Sequence, residues 1–269
     1  MKSTPSLPTA AVGVDVGSWN CCVATVRRKV VDAVEDEYGN RKIPWVPHTV
    51  TYSVISNFVL FDSSMQYSGS DAKANQDINF ENTIFDYMQF LRKPYSKASA
   101  LSLQYPYKIV SGVGGNAHIA IEFGAKSYNL LPEQLLAMVL RKLKSVADDA
   151  SGESVNNFVI NVPEFYDEEQ RAAIYDAADI AGINCLELLE DTYAGNRQVP
   201  ERSDQFVTVA FVIVGYSCTQ IAVCKINKRR IVVCAHSSDP CLGGRDFDNA
   251  IYNHLVANHP FLASSQGTP

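Results

Sequence analysis

The stretches VGVDVGSWNCCVATV, residues 12–26, and FVIVGYSCTQIAVC, residues 211–224, share one design: two short apolar strands flank a tight corner of glycine and a hydroxyl residue. In the first, Asp15 stands two residues before Gly17; in the second, Ile213 stands two residues before Gly215. A glycine at a hairpin tip lets successive main-chain N–H groups approach a phosphate without obstruction by a side chain. For the first corner those donors are Ser18, Trp19 and Asn20, joined by the Ser18 hydroxyl, and Asp15 can hold a magnesium ion through its waters. An ordinary hairpin remains the alternative. A third element, Gly243–Gly244 in LGGRDFD, leads into a helix whose N-terminus is expected to offer free N–H donors to an anion; a plain strand-to-helix turn is its alternative.

Between these elements the pattern alternates. CCVATVRR, KVVDAVED, WVPHTVTY and NFVLF read as short strands around the turn-rich YGNRKIP, and residues 70–95 read as polar with helical stretches. PYKIVSGVGGNAHIAIEFG reads as a strand pair around a glycine-rich turn. A helix is expected from Pro132, with Leu135, Leu136, Val139, Leu143, Val146 and Ala147 on one face. After the strand SVNNFVINVPE, Asp167 with Gln170 can cap a second helix that Gly182 closes. NCLELLED is a further strand, residues 206–238 form a three-stranded meander, and Phe247, Ile251 and Leu255 share a face of a last helix. One hairpin opening each half suggests a duplicated α/β architecture with a cleft between lobes.

Composition narrows the partners. The 269 residues carry 23 Lys and Arg against 29 Asp and Glu, a net charge of −6, and no basic run is long enough to track a nucleic-acid backbone. The opening residues lack a sustained apolar segment, and apolar runs such as Val209 to Val214 are too short to cross a bilayer, so neither secretion nor a membrane is expected. The seven cysteines form no Cys-x-x-Cys pair and read as reduced, buried small hydrophobes of a cytoplasmic or nuclear chain. The histidines lack ligand spacing; His254 and His259 stand five apart rather than four.

In this order, AVGVDVGSWNCCVATV, DEYGNRKIPWVPHTV, NVPEFYDEEQRAAIYDAADIAGINCLELLED and DPCLGGRDFDNAIYNHL resemble the nucleotide-binding domain of the seventy-kilodalton heat-shock chaperones. DEYGNR, GINCLELLEDT and FVIVGYSCTQIAVCKINKRRIVVCA are more similar to the hundred-and-ten-kilodalton relatives that act as nucleotide exchange factors. The resemblance runs from about Ala11 to Asn258. It implies an α/β, actin-like (ribonuclease-H-like) fold of two lobes, with ATP or ADP and magnesium as ligands and a seventy-kilodalton chaperone as a partner; unfolded clients are not expected without a substrate domain. The divisions expected are a tail over 1–10, a first lobe over 11–198, a linker over 199–205, the start of a second lobe over 206–258 and a tail over 259–269. An end at residue 269 is expected to leave the second lobe incomplete, with an apolar face and a strand edge exposed.

By the same resemblance, Asp15, Gly17, Ser18, Trp19 and Asn20 form a first phosphate loop, Gly215, Tyr216 and Ser217 a second, and Gly243 and Gly244 a phosphate or ribose contact. Pro163 and Arg171 match residues that relay nucleotide state between domains, although Arg171 as a solvated helix residue is favoured without a substrate domain. Three departures stand out. Met88 in FDYMQFLRK occupies the place of a lysine that touches the transferred phosphate, Ile213 replaces an acid, and Asp191 corresponds to a glutamate near the attacking water, one carbon shorter. YAGNRQVPERSD replaces a helix, and the segments that hold adenine in the family have no counterpart. Phosphoryl transfer depends on positioning and charge neutralisation, and losing one preorganised group costs on the order of a hundredfold to a thousandfold, so negligible turnover is expected. The functions in play are a chaperone-family nucleotide-binding protein of the exchange-factor type, an active actin-like ATPase, and a non-binding pseudo-ATPase with a regulatory role.

Overall fold

The computed structural model describes residues 11–27, 30–33, 41–42, 52–191, 204–228 and 230–259. The expected tails over 1–10 and beyond 259, most of the turn at 38–44 and the strand at 45–52, and residues 199–203 of the expected linker lie outside the described residues. The chain separates into two units, one running to Asn161 with Asp167–Leu188 added, the other formed by Val162–Tyr166 and the described residues from Leu189 onward.

The first unit is built on the opening hairpin. Ala11–Val16 (β1) and Asn20–Arg27 (β2) pair antiparallel, and the two-residue period of a strand turns Val12, Val14 and Val16 to the buried side. Val30–Ala33 (β3) pairs with the far half of β2, whereas Tyr52–Ser56 (β5), flanked by Arg41–Lys42 (β4), pairs with its near half from Asn20 to Val23. Phe58–Phe61 (β6), Gln66–Ser68 (β7) and Thr83–Phe85 (β8) make a second sheet around β6, with the short helix Ser70–Ala74 (α1) between β7 and β8. Residues 70–95 hold short helical stretches, α1 and three 3-10 turns, together with the unforeseen strand β8. After Tyr95–Ala98 (α2), the antiparallel strands Lys108–Ser111 (β9), Ala117–Phe123 (β10) and Lys126–Leu130 (β11) form a third sheet.

Pro132 starts the long helix Pro132–Ser151 (α3), and the Gln134 side chain accepts the Leu131 N–H at 2.9 Å. Its expected apolar face is buried in full. Each such leucine contributes roughly 1.5–3 kcal/mol on burial. The helix packs across β2 and against the next helix. Asn157–Val162 (β12) lies parallel beside β1, with Phe158, Ile160 and Val162 buried. Glu168–Ala181 (α4) follows, capped as expected: Asp167 accepts from the Gln170 N–H at 2.8 Å, and Gln170 returns the contact to the Asp167 N–H at 3.2 Å. Gly182, with φ 74°, ends it. Asn184–Glu190 (β13) then completes the sheet order β13-β12-β1-β2-β5-β4.

The second unit holds the expected meander, Val207–Val214 (β14), Thr219–Ile226 (β15) and Ile231–Asp239 (β16), followed by the helix Gly244–Asn258 (α5). One sheet face gathers Ala222, Cys224 and Ile226 against Val209, Phe211, Ile231 and Val233. On the other face Val212, Val214 and Ile221 are exposed, and the shared face of α5, Phe247, Ile251 and Leu255, is exposed too. The cysteines correct one expectation. All seven carry free thiols, but Cys21 and Cys224 alone are buried, while Cys234 and Cys241 are exposed, because β16 and the turn after it leave most of their residues facing solvent.

Candidate functional site

At the first corner the Gly17 N–H donates to the Asn20 carbonyl at 3.0 Å, closing the turn between β1 and β2. A Cβ at Gly17 would stand 2.7 Å from that carbonyl oxygen, so the corner tolerates no side chain there. Two residues the sequence did not single out hold it from behind. The Asn57 Nδ2 donates to the Gly17 carbonyl and the Asn57 N–H donates to the Trp19 carbonyl, both at 2.8 Å. The buried Tyr87 hydroxyl donates to the Asn57 Oδ1 at 2.5 Å. The Trp19 ring meets Phe58 edge-on at 4.8 Å and Phe85 at 5.6 Å, with the Lys73 ammonium 4.9 Å from its centre. Only an Asn–Phe pair next to a strand end hinted at this brace, and that signal carries no chemistry.

Asp15 lies in register with Cys22 on one side and Asn161 on the other. Although Asp15 keeps solvent contact along its strand, protein packed round the carboxylate desolvates it and raises its pKa, while the Asn161 amide, 3.4 Å from Oδ1, pulls in the opposite sense. Burial, with Asp15 second, pushes the Cys22 thiol up to about 12 and Cys21 well above the ordinary thiol range. A raised thiol pKa disfavours the thiolate, the nucleophilic form, at both positions. A magnesium ion that keeps its hydration shell needs only outer contact with such a carboxylate, and the described residues contain no cluster of three acidic, histidine or cysteine side chains that would bind a dehydrated metal.

The second corner repeats the first. The Gly215 N–H donates to the Cys218 carbonyl at 2.8 Å, and Ser217 is buried. Gly243 packs its α-carbon against the Tyr216–Ser217 peptide, where a Cβ would lie 2.5 Å from the Tyr216 carbonyl carbon. The expectation that the start of α5 offers free donors is corrected here. The Gly243 N–H donates to the Asp246 carboxylate at 2.8 Å, the Gly244 N–H to the Gly215 carbonyl at 2.9 Å and the Arg245 N–H to the Tyr216 carbonyl at 3.0 Å. The positive end of the helix is spent on fastening the corner.

Asp191, at the end of β13, is held by the Gln220 side-chain amide, whose oxygen accepts the Glu164 N–H at 2.9 Å. Gln220 is buried opposite Ile213 in the β14–β15 register. The sequence did not flag it; an amide within an apolar strand was the available signal. Met88 is buried in the turn Tyr87–Phe90, so this turn offers no ammonium. Asp15, Gly17, Ser18, Trp19, Asn20, Met88 and Arg171 belong to the first unit; Pro163, Asp191, Ile213, Gly215, Tyr216, Ser217, Gly243 and Gly244 belong to the second. Pro163 accepts the Tyr166 N–H at 3.2 Å, and half-buried Arg171 lies in the first turn of α4.

The family profile described as Hsp70 protein matches residues 11–261. The 97 kDa heat shock protein of Strongylocentrotus purpuratus is 31% identical over 258 residues, covering 93% of this chain and 28% of that protein. Heat shock 70 kDa protein 4 of Homo sapiens is 31% identical over 255 residues, covering 91% of this chain and 29% of its own length. Heat shock 70 kDa protein 4L of Homo sapiens is 28% identical over the same length. The chain thus spans less than a third of these curated relatives.

Proposed function

Because this chain belongs to the Hsp70 family, whose domain has the actin-like fold, we propose that it is a nucleotide-binding, exchange-factor-type member that holds ATP or ADP with weak hydrolysis or none. The observation that carries this reading is the repeated corner, closed by Gly17 N–H to Asn20 at 3.0 Å and by Gly215 N–H to Cys218 at 2.8 Å. On this reading the two units are the two lobes of the fold, with residues 206–258 belonging to the second. Ser18, Trp19 and Asn20 at one corner and Tyr216 and Ser217 at the other hold phosphate oxygens, and Asp15 holds hydrated magnesium, which would neutralise phosphate charge. Gly243 and Gly244 support the second corner through their close contact with it. Pro163 and Arg171 are the candidate relay, and a seventy-kilodalton chaperone in the cytosol or nucleus is the partner.

Weak hydrolysis is supported by buried, uncharged Met88, by Ile213, and by the engagement of Asp191 with Gln220. Without a lysine and a free carboxylate, charge on a transferring phosphate is left uncompensated. The test is thermal unfolding with and without excess magnesium ATP. Ligand at a hundred times its dissociation constant adds about 2.7 kcal/mol of stability. Absence of any shift refutes nucleotide binding, and measurable single-turnover hydrolysis refutes the loss of chemistry.

A second reading, a non-binding pseudo-ATPase, draws on one observation: the Gly244 and Arg245 N–H groups are committed to the Gly215 and Tyr216 carbonyls. The absence of a thermal shift would favour it.

A further inference from the structure

We propose that Asn57 is the positioning residue of the first corner, fixing the peptide planes through which Ser18 and Asn20 present their amides to a phosphate. This rests on the phosphate-binding reading above. Three segments far apart in sequence converge: the corner at 17–20, Asn57 directly after β5, and Tyr87. A trans peptide points its N–H opposite to its C=O, and no peptide among the described residues is cis. Drawing the Gly17 carbonyl to the Asn57 Nδ2 therefore sets the direction of the Ser18 N–H. Drawing the Trp19 carbonyl to the Asn57 main chain sets that of the Asn20 N–H.

The choice of residue follows from chemistry. Asn57 is fully buried, so water cannot replace either bond. The position needs a planar group with a donor toward Gly17 and an acceptor toward the Tyr87 hydroxyl. A carboxylate would set an oxygen against the Gly17 carbonyl, and serine is too short to span both. Tyr87, itself buried, holds the amide so that Nδ2 faces the corner.

The experiment compares the whole chain with Asn57→Ser and Tyr87→Phe, measuring 15N relaxation order parameters and the affinity for magnesium triphosphate. In the parent, the amides from Ser18 to Asn20 should show order parameters of about 0.85; in Asn57→Ser, which keeps the main-chain bond to the Trp19 carbonyl, that of Ser18 should drop below about 0.6, with those of Asn20 and β1 unchanged. Magnesium triphosphate should bind about tenfold more weakly in Asn57→Ser, with a smaller loss in Tyr87→Phe. A residue that merely supported the fold would lower the melting temperature without singling out the corner. Unchanged order parameters overturn the proposal, as does a loosened corner that binds triphosphate as tightly as the parent. A corner that loosens in a parent background that binds no triphosphate supports the clamp and refutes the nucleotide reading alone. If Asn57→Ser does not fold, Tyr87→Phe, which removes one oxygen atom, carries the same test.

Discussion

Gly243→Ala adds a single carbon where two main-chain segments touch. That carbon would lie 2.5 Å from the Tyr216 carbonyl carbon and 2.7 Å from the Ser217 nitrogen. Ordinary contacts lie near ~3.5 Å, so the helix start must retreat by about 1 Å, and backbone cannot rotate aside as a side chain can. The same retreat stretches the bonds from Gly244 to Gly215 at 2.9 Å and from Arg245 to Tyr216 at 3.0 Å beyond hydrogen-bonding range. Each lost bond costs roughly 1 kcal/mol and the overpacking about 1–3, so the substitution should destabilise by about 3–5 kcal/mol. Backbone strain adds nothing, because the φ of −151° at Gly243 is extended and open to alanine. Gly244→Ala is the control. Its Cβ would find the Gly215 oxygen at 3.7 Å, an ordinary contact, and alanine suits a helix better than glycine by up to about 1 kcal/mol. Urea denaturation of both variants reads the difference. Equal effects at the two positions, or a Gly243→Ala midpoint within about 0.5 kcal/mol of the parent, would refute the close-packing argument.

Two further outcomes follow from buried and paired charges. Burial tends to raise the Asp148 pKa, but the Lys144 ammonium at 2.8 Å and the Val155 N–H at 2.7 Å outweigh it and leave the value lowered. A carboxylate whose folded pKa lies below its unfolded value of about 3.9 contributes stability above that pH and loses it as pH falls through the folded value. The stability gap between the parent and Asp148→Asn should thus stay flat above about pH 5 and shrink in more acidic urea titrations; a gap independent of pH contradicts the pairing. Met88→Lys places an ammonium in a fully buried position and should abolish folding instead of creating hydrolysis. A folded Met88→Lys protein with single-turnover activity would show that the turn can open toward a ligand.

Much of the architecture is readable in the chain because it rests on local rules. The Asp167–Gln170 box, Pro132 at a helix start and the apolar face of α3 each declare themselves within one or two turns. The two glycine corners were legible for the same reason: each closes over four residues. What was hidden is what long-range packing decides. Asn57 reaches Gly17 across forty residues of chain, and Gln220 reaches Asp191 across twenty-nine, so neither leaves a periodic trace. The free donors expected at Gly244 failed for a related reason, since a helix start reads alike in sequence whether its amides face an anion or a neighbouring carbonyl. Cys234 misled because an apolar run does not reveal which side of a strand another layer covers, and Cys241 because it stands in the turn after β16.

Helix α5 is attached to its sheet in an unusual way. Its fifteen residues make a rod about 22 Å long, none of whose side chains is buried, yet its first turn is bonded to the Gly215–Tyr216 corner. The bonds from Gly244 and Arg245 tie the hairpin tip to this one end of the rod, so the position of the helix start and the shape of the corner are fixed together.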